Sequence, residues 1–396
     1  MTFSDALRRV AADRGLALPD TRHPEPLAAL AYADELDLKR EALDAFWRAY
    51  RLAGRPEPVV AAPVPRGYRT TTKRRAVSFA GGLALAFPGA APAKPGVSPS
   101  ALDPPEHAAV YAFLCERLAR PPGQGLAPTL NWAIVRGSPG ALAVILNVRV
   151  FDARVVRAGK LLGEALQGAA LGVRSCSLYL DPSGSDYYLE AKRPAGTLTS
   201  KRLFGPDWLE TAADGVRLRY PVTVFSQVNG PMVAAMTGAA RALLSPLEGC
   251  ALLDLYCGYG LFSLTVGRIA TRVVGVDFDG PAVEAARANA LHLGCADRAR
   301  FIAGRIDGGF VAGRLRPAAG PEAVLLDPPR QGTAPDVVRA IAARAPLRVV
   351  HICCGTDEIP RELESWSRAG YRLQRAVPLD VFAGTENLET LLLLER

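Results

Sequence analysis

The chain has 396 residues, 49% of them hydrophobic and 22% charged, the composition of a globular protein long enough for more than one module with its own core. Lys plus Arg outnumber Asp plus Glu by 47 to 39, a net charge of +8 that suits a polyanionic partner without requiring one. Seven cysteines (115, 176, 250, 257, 295, 353, 354) form no CxxC pair, the N-terminus has no apolar signal core, and Gly and Pro break the longest apolar stretch, 76–93. These features argue against a metal site, a disulfide framework and a membrane span, and a cytoplasmic, monomeric protein is expected.

Residues 4–14 and 26–53 carry helical periodicity, with Leu27, Leu30, Ala31, Leu38, Leu43, Phe46, Trp47 and Tyr50 as an apolar stripe. Gly54 and Arg55-Pro56-Glu57-Pro58 end it, so residues 1–60 are expected to form a small helical module without chemistry of its own. Residues 66–75 then place Arg66, Arg69, Lys73, Arg74 and Arg75 around Tyr68. Such a run can grip phosphates while the ring stacks on a base, or it can be a solvated loop; taken alone, the loop is favoured. Strands are predicted at 77–87, 129–136, 142–150, 176–180, 187–190 and 216–220, with helices near 105–119 and 152–170. Residues 61–224 thus read as an α+β middle domain, with a second basic cluster at Lys192, Arg193, Lys201 and Arg202.

From residue 225 the pattern alternates. Strands are predicted at 251–257, 272–278, 299–303, 323–326, 348–354, 371–377 and 389–395, and helices at 231–244, 261–270, 280–293, 334–345 and 357–369. This βαβα series predicts a doubly wound, largely parallel α/β sheet over 225–396, with ligands at the carboxyl ends of its strands and an antiparallel edge from the last two strands.

Three motifs end strands in that sheet. Asp254-Leu255-Tyr256-Cys257-Gly258-Tyr259-Gly260 is a strand entering a glycine turn and a helix, which brings backbone NH groups against a ligand. A dinucleotide fingerprint would need a third glycine where Ser263 stands, and about twenty residues on Asp277 ends the next strand with a carboxylate able to accept ribose hydroxyls. Together these are the features of S-adenosylmethionine binding. Asp327-Pro328-Pro329-Arg330 is a rigid turn that holds Asp327 at the pocket and leaves Arg330 for a phosphate or carboxylate. Val349-Val350-His351-Ile352-Cys353-Cys354-Gly355-Thr356 puts two cysteines at a strand end, where the following helix start would favour a thiolate. Strand alternation turns one of the pair to the pocket and the other to the packing. Glu389 opens the last apolar strand, where partial burial would raise its pKa and make it a usable base.

These stretches together resemble the RNA uridine-C5 methyltransferase family, which forms 5-methyluridine in transfer and ribosomal RNA. The resemblance covers roughly residues 66–396 and runs in the family's order: Phe225-Ser226-Gln227-Val228-Asn229, then 254–260, 327–332, 353–356 and Asn387-Leu388-Glu389. It implies that Cys354 is the nucleophile and Glu389 the base. It also implies that Gln227, Tyr256, Gly258, Gly260, Asp277 and Asp327 serve the cofactor S-adenosylmethionine. For the RNA substrate it implies Arg330 together with Tyr68, Arg69 and Lys73 of the middle domain. Departures from the family pattern are Cys353 for serine, Gly355 for asparagine, Thr356 for proline, Asn387 for histidine and Ser226 for a second phenylalanine. The alternatives are a methyltransferase of the same fold acting on another base or a small molecule, and a non-catalytic RNA-binding protein; a pure binder has no physical need to keep Cys354 and Glu389 together.

Overall fold

The first two helices are amphipathic. α1 (Phe3–Asp13) begins at a capping box, in which the Thr2 hydroxyl accepts from the Asp5 amide and the Asp5 carboxylate accepts from the Thr2 amide, and it buries Phe3, Ala6, Leu7 and Ala11. α2 (Tyr32–Ala49) buries Leu38, Ala42, Leu43, Phe46 and Trp47 on one stripe. A computed structural model describes residues 1–21, 23–79, 82–121, 123–183 and 200–396. In it, α1 and α2 share a core with Cys353, Ile359, Ala376, Leu388 and Leu392. The described residues divide into two compact units, one of residues 1–65, 211–220 and 231–396, the other of 66–210 and 221–230. The N-terminal helices therefore belong with the C-terminal sheet.

In the unit of residues 66–210 and 221–230, β1 (Thr71–Phe79), β2 (Gly82–Ala86), β3 (Gly96–Val97), β4 (Leu130–Ser138), β5 (Ala141–Val148), β6 (Val173–Leu180) and β7 (Ser200–Phe204) form a mixed sheet in the order β3-β2-β1-β4-β5-β6-β7. α3 (Pro105–Leu118) and α4 (Ala153–Gly168) cover it, with Val110, Leu114, Val155 and Leu162 packed among Leu85, Val135, Val144 and Leu178. The basic run is not the solvated loop favoured above. Its second half is strand β1, with Thr72 and Arg74 buried and Lys73 and Arg75 on the opposite face, as a period of two requires. The single strand expected at 77–87 is split between β1 and β2, which pair antiparallel. The strand predicted at 187–190 and the cations Lys192 and Arg193 lie outside the described residues. β8 (Trp208–Ala213) and β9 (Val216–Pro221) make a separate two-stranded sheet.

The other unit is built on β10 (Ala251–Leu255), β11 (Arg272–Asp277), β12 (Ala299–Ala303), β13 (Glu322–Leu326), β14 (Arg348–Cys353), β15 (Arg372–Leu379) and β16 (Glu389–Glu395), in the order β12-β11-β10-β13-β14-β16-β15. β10 to β14 are parallel, and β16 runs antiparallel between β14 and β15. The intervening helices are α5 (Val233–Leu244), α6 (Leu261–Thr265), α7 (Gly280–His292), α8 (Gly308–Arg314), α9 (Pro335–Ala343) and α10 (Ile359–Arg368). Both faces of the sheet are covered. Leu253 and Leu255 pack with Val337 and Ile341 of α9 and Trp366 of α10, whereas Leu252, facing the other way, approaches Gly267 just beyond α6. The sheet is the doubly wound one expected. Because β10 lies between β11 and β13, the loops after β10, β11, β13 and β14 open at one carboxyl edge, where β16 also begins. Among the described residues no helix is long and apolar enough to cross a membrane.

Candidate active site

After β10 the backbone turns left-handed three times, at Tyr256 (φ 66°), Gly258 (54°) and Gly260 (88°). Glycine adopts such angles freely; tyrosine does so at a cost, and strain of this kind gathers at ligand sites. At Gly260 a Cβ would sit 3.0 Å from Leu264 and 3.3 Å from Ala286, so packing also demands glycine there. The loop is tied to the next strand, since the Gly258 amide donates to Asp277 Oδ2 and the Asp279 amide to Oδ1, both at 2.9 Å. Burial raises the Asp277 carboxyl despite these bonds, and each oxygen retains a lone pair for a further donor. Ser263, which stands where a third glycine would be needed, donates to Asp254 Oδ2 at 2.5 Å. Burial lifts the fully enclosed Asp254 to about 7.

Cys354 follows β14, and its Sγ lies 3.4 Å from the Pro328 carbonyl and 3.7 Å from Asp327 Oδ1. Asp327 is held at that edge because its amide donates to the Leu255 carbonyl at 3.2 Å and two prolines stiffen the turn behind it. Cys353 pairs with Thr390 across β14 and β16, so one step further the antiparallel register sets Glu389 opposite Cys354. Glu389 is 2% exposed, and its Oε1 has no hydrogen-bond partner among the described residues. Glu358, which sequence reasoning missed, is buried on the 3-10 turn Thr356–Glu358, and its Oε2 likewise lacks a partner among the described residues. The signal for it was a carboxylate four positions beyond a strand-end cysteine, one helical turn back towards the thiol. As the alternation argument required, Cys353 is wholly buried in the core while Cys354 is half-buried.

Burial first, then Asp327, Glu389 and Glu358, push the Cys354 thiol well above its ordinary value. The expectation of a thiolate is therefore corrected: the pull of the following helix start is outweighed by burial and surrounding carboxyls, and the resting group is the thiol. Burial followed by Asp327 and Glu358 drives Glu389 well above the carboxylate range, with Arg330 opposing. Glu358 is raised to about 7 by burial and then by Glu362. His351 is no base here, since burial depresses it to about 3 and its Nδ1 accepts the Trp366 indole NH at 2.9 Å.

Arg330 is exposed, and its charge reaches both Glu389 and Glu358. Gln227, Tyr68, Arg69 and Lys73 lie in the other unit. The Gln227 carbonyl accepts the Thr70 hydroxyl at 2.8 Å. Tyr68 is 3% exposed, so the ring expected to stack on a base is inside the fold. Arg69 bridges to Asn229, and Lys73 Nζ sits 4.9 Å over the Trp132 ring. Arg74 is committed to the interior, where it pairs with Asp103 at 2.5 Å.

Among solved structures, that of the Pyrococcus abyssi tRNA (uracil-54, C5)-methyltransferase in complex with S-adenosyl-L-homocysteine matches with a TM-score of 0.67 at 19% identity, over 93% of this chain and 85% of that one. At that identity the likeness is one of fold alone. A 23S rRNA (uracil(1939)-C(5))-methyltransferase RlmD of Alkalilimnicola ehrlichii is 39% identical over 185 residues, 46% of this chain and 40% of the relative. An uncharacterized RNA methyltransferase of Gloeobacter violaceus is 34% identical over 194 residues, 49% and 41%. In both cases the match spans about two-fifths of the relative. Residues 201–302 match the tRNA (uracil-5-)-methyltransferase family model, so over that stretch the chain is similar to that family.

Proposed function

We propose that the chain is an S-adenosylmethionine-dependent enzyme that methylates C5 of a uridine in RNA through a covalent bond between Cys354 and C6 of the base. The observation that carries this reading is one half-buried thiol beside Asp327, Glu358 and Glu389 at the edge where the glycine turn opens. The Alkalilimnicola ehrlichii relative and the matching family model, both of which carry uracil-C5 methylation in their names, support it. The residues present fit the cofactor: the turn at Gly258 and Gly260 brings backbone against a ligand, and Asp277 can accept its ribose hydroxyls. Tyr256 and Gln227 are further candidates to hold it. When bound, S-adenosylmethionine supplies an electrophilic methyl on a cationic sulfur.

Uracil C5 is a weak nucleophile, and the chain's own groups activate it. Asp327 takes the Cys354 proton, the sulfur bonds to C6, and the electron pair moves through C5 to make an enolate. Once C5 carries the methyl, ionised Glu389 removes the C5 proton; those electrons restore the C5–C6 double bond and expel the Cys354 sulfur. Glu389 must lose its resting proton first, and positive charge brought beside the carboxyl cluster favours that loss. Residues 61–224 are the proposed RNA-holding domain, residues 225–396 the methyl-transfer domain, and a loop uridine splayed from its stack is the suitable target.

The test is RNA carrying 5-fluorouridine, which has no C5 proton to lose and leaves the adduct trapped. We expect a denaturation-resistant protein–RNA species that Cys354→Ala abolishes, with the crosslinked peptide mapping to residue 354. An adduct that persists in Cys354→Ala would remove the nucleophile assignment. Methylated RNA whose digested nucleosides contain no 5-methyluridine would move the reading to another base.

A further inference from the structure

Residues 380–388 carry the chain from β15 into Glu389 without regular structure of their own, yet Asp380, Val381, Ala383 and Leu388 are each 0% exposed. The N-terminal helices and the segment between them cover this loop. The Gly384 amide donates to Glu35 Oε1 at 2.5 Å, and the Leu27 amide donates to the Gly384 carbonyl at 3.1 Å. Lys39 Nζ, wholly buried, donates to Glu35 Oε1 at 2.8 Å, to Asp380 Oδ1 at 2.6 Å and to the Phe382 carbonyl at 3.3 Å. The Tyr32 hydroxyl donates to Asp380 Oδ2 at 3.0 Å. Ser4 Oγ donates to Glu386 Oε2 at 2.5 Å, and Arg8 Nη2 lies 2.6 Å from Glu386 Oε1 as an ion pair without hydrogen-bond alignment. The Phe3 amide donates to Asp357 Oδ1 at 2.6 Å, on the turn that follows Cys354.

A buried ammonium between two buried carboxylates is a poor source of stability, because withdrawing the ions from water offsets most of their attraction. Apolar side chains would hold two helices to a sheet as well. Ions and directed hydrogen bonds differ in specifying one geometry. The two reacting residues are also each preceded by a member of the helices' own core, Cys353 before Cys354 and Leu388 before Glu389. We infer that the N-terminal helices are a positioning element for the reaction: their polar contacts to residues 380–386 hold Glu389 in register with Cys354. This inference rests on the roles given above to those two residues.

Arg8 and Glu386 allow the test, since at 24% and 13% side-chain exposure they sit at the rim and their loss leaves the buried cluster intact. In the whole 396-residue chain, Arg8→Gln, Glu386→Gln and the double variant are compared for melting temperature, KM for cofactor and RNA, single-turnover release of methylated RNA and 5-fluorouridine adduct. Each single change is expected to slow release of methylated RNA from the Cys354 adduct roughly tenfold, the scale of a sub-ångström displacement of a reacting group. KM should stay within about twofold, because binding contacts are untouched. The double variant should be no slower than the slower single, since both remove one contact. A second variant, Lys39→Met with Glu35→Gln and Asp380→Asn, neutralises the buried cluster as a set and should slow the step further in folded protein. Folded variants that release methylated RNA at the wild-type rate, or rates that fall only with the folded fraction, overturn the inference. A wild-type chain that forms no adduct refutes the Cys354 reading and this inference with it; a wild-type adduct, with release of methylated RNA from ordinary substrate unslowed in every folded variant, refutes the positioning role alone.

Discussion

Cys354 shares its surroundings with Asp327, Glu389 and Glu358, so ionising it adds negative charge beside carboxyl groups that oppose it. Its raised pKa means that the thiolate fraction, and with it the rate of alkylation, keeps climbing as pH rises past the ordinary thiol value of about 8.5. A cation placed in the cluster acts on the charged forms only and lowers the midpoint. Iodoacetamide labelling of Cys354, followed by peptide mass spectrometry across pH, should therefore show a high midpoint in the protein alone. A cofactor analogue bearing a protonated amine in place of the sulfonium should lower it by about one unit, roughly 1.4 kcal/mol. The neutral thioether product should leave it nearly unchanged. Glu358→Gln should also lower it, since a group raised to about 7 is part-ionised at neutral pH and wholly so where the thiol titrates. A midpoint indifferent to both changes would show that burial alone sets the thiol.

At the level of elements, one side chain of β4 ties down residues 222–226 of the segment 221–230. Arg136, fully buried, donates to the Val222 carbonyl, to the Val224 carbonyl at 2.7 Å, to Ser226 Oγ at 2.8 Å and to Thr71 Oγ1 at 3.2 Å. Arg136→Met keeps much of the volume but leaves buried acceptors unpaired, a loss of about 3 kcal/mol that urea titration can measure. A change within about 0.5 kcal/mol would mean that the segment finds other donors. This residue also shows where sequence reading stops. Amphipathic helices and apolar strands announce themselves by period, and the strand ends at Asp277, Asp327 and Cys354 are marked by glycine, proline or a helix start, so the sheet and its edge were legible. Arg136 and Arg74 sit in strands where period two gives them an inward face, but nothing local says that a cation there has partners tens of residues away. Glu35 and Lys39 interrupt the apolar stripe of α2 at i and i+4, which was the visible sign of a buried ion pair. Their third member, Asp380, is 341 positions from Lys39, and local pattern cannot reach that far. For the same reason nothing local marks Asp380 or Glu386 as partnered, although one is buried and the other is in an ion pair.

The whole molecule closes on itself across nearly its full length. Gly384 meets Glu35 across 349 positions, whereas β4 and β5 pair from Leu130 with Val148 down to Ser138 with Ala141. Closing a loop of that length costs roughly 2–3 kcal/mol more entropy than closing one of about twenty residues. An isolated helix of the length of α2 is only marginally stable until its apolar face is covered. Refolding should therefore be ordered, with the sheet of residues 66–210 formed before the N-terminal helices dock. Pulse-labelled hydrogen exchange during refolding is expected to protect the amides of β4 and β5 first, and those of α2 and residues 380–388 later and together. Protection of α2 as early as that of β4 would contradict this order. If the helices position Glu389, release of methylated RNA must return with the late phase, because a chain with both sheets formed but α2 undocked has Cys354 and Glu389 in its sequence without the contacts that hold them in register.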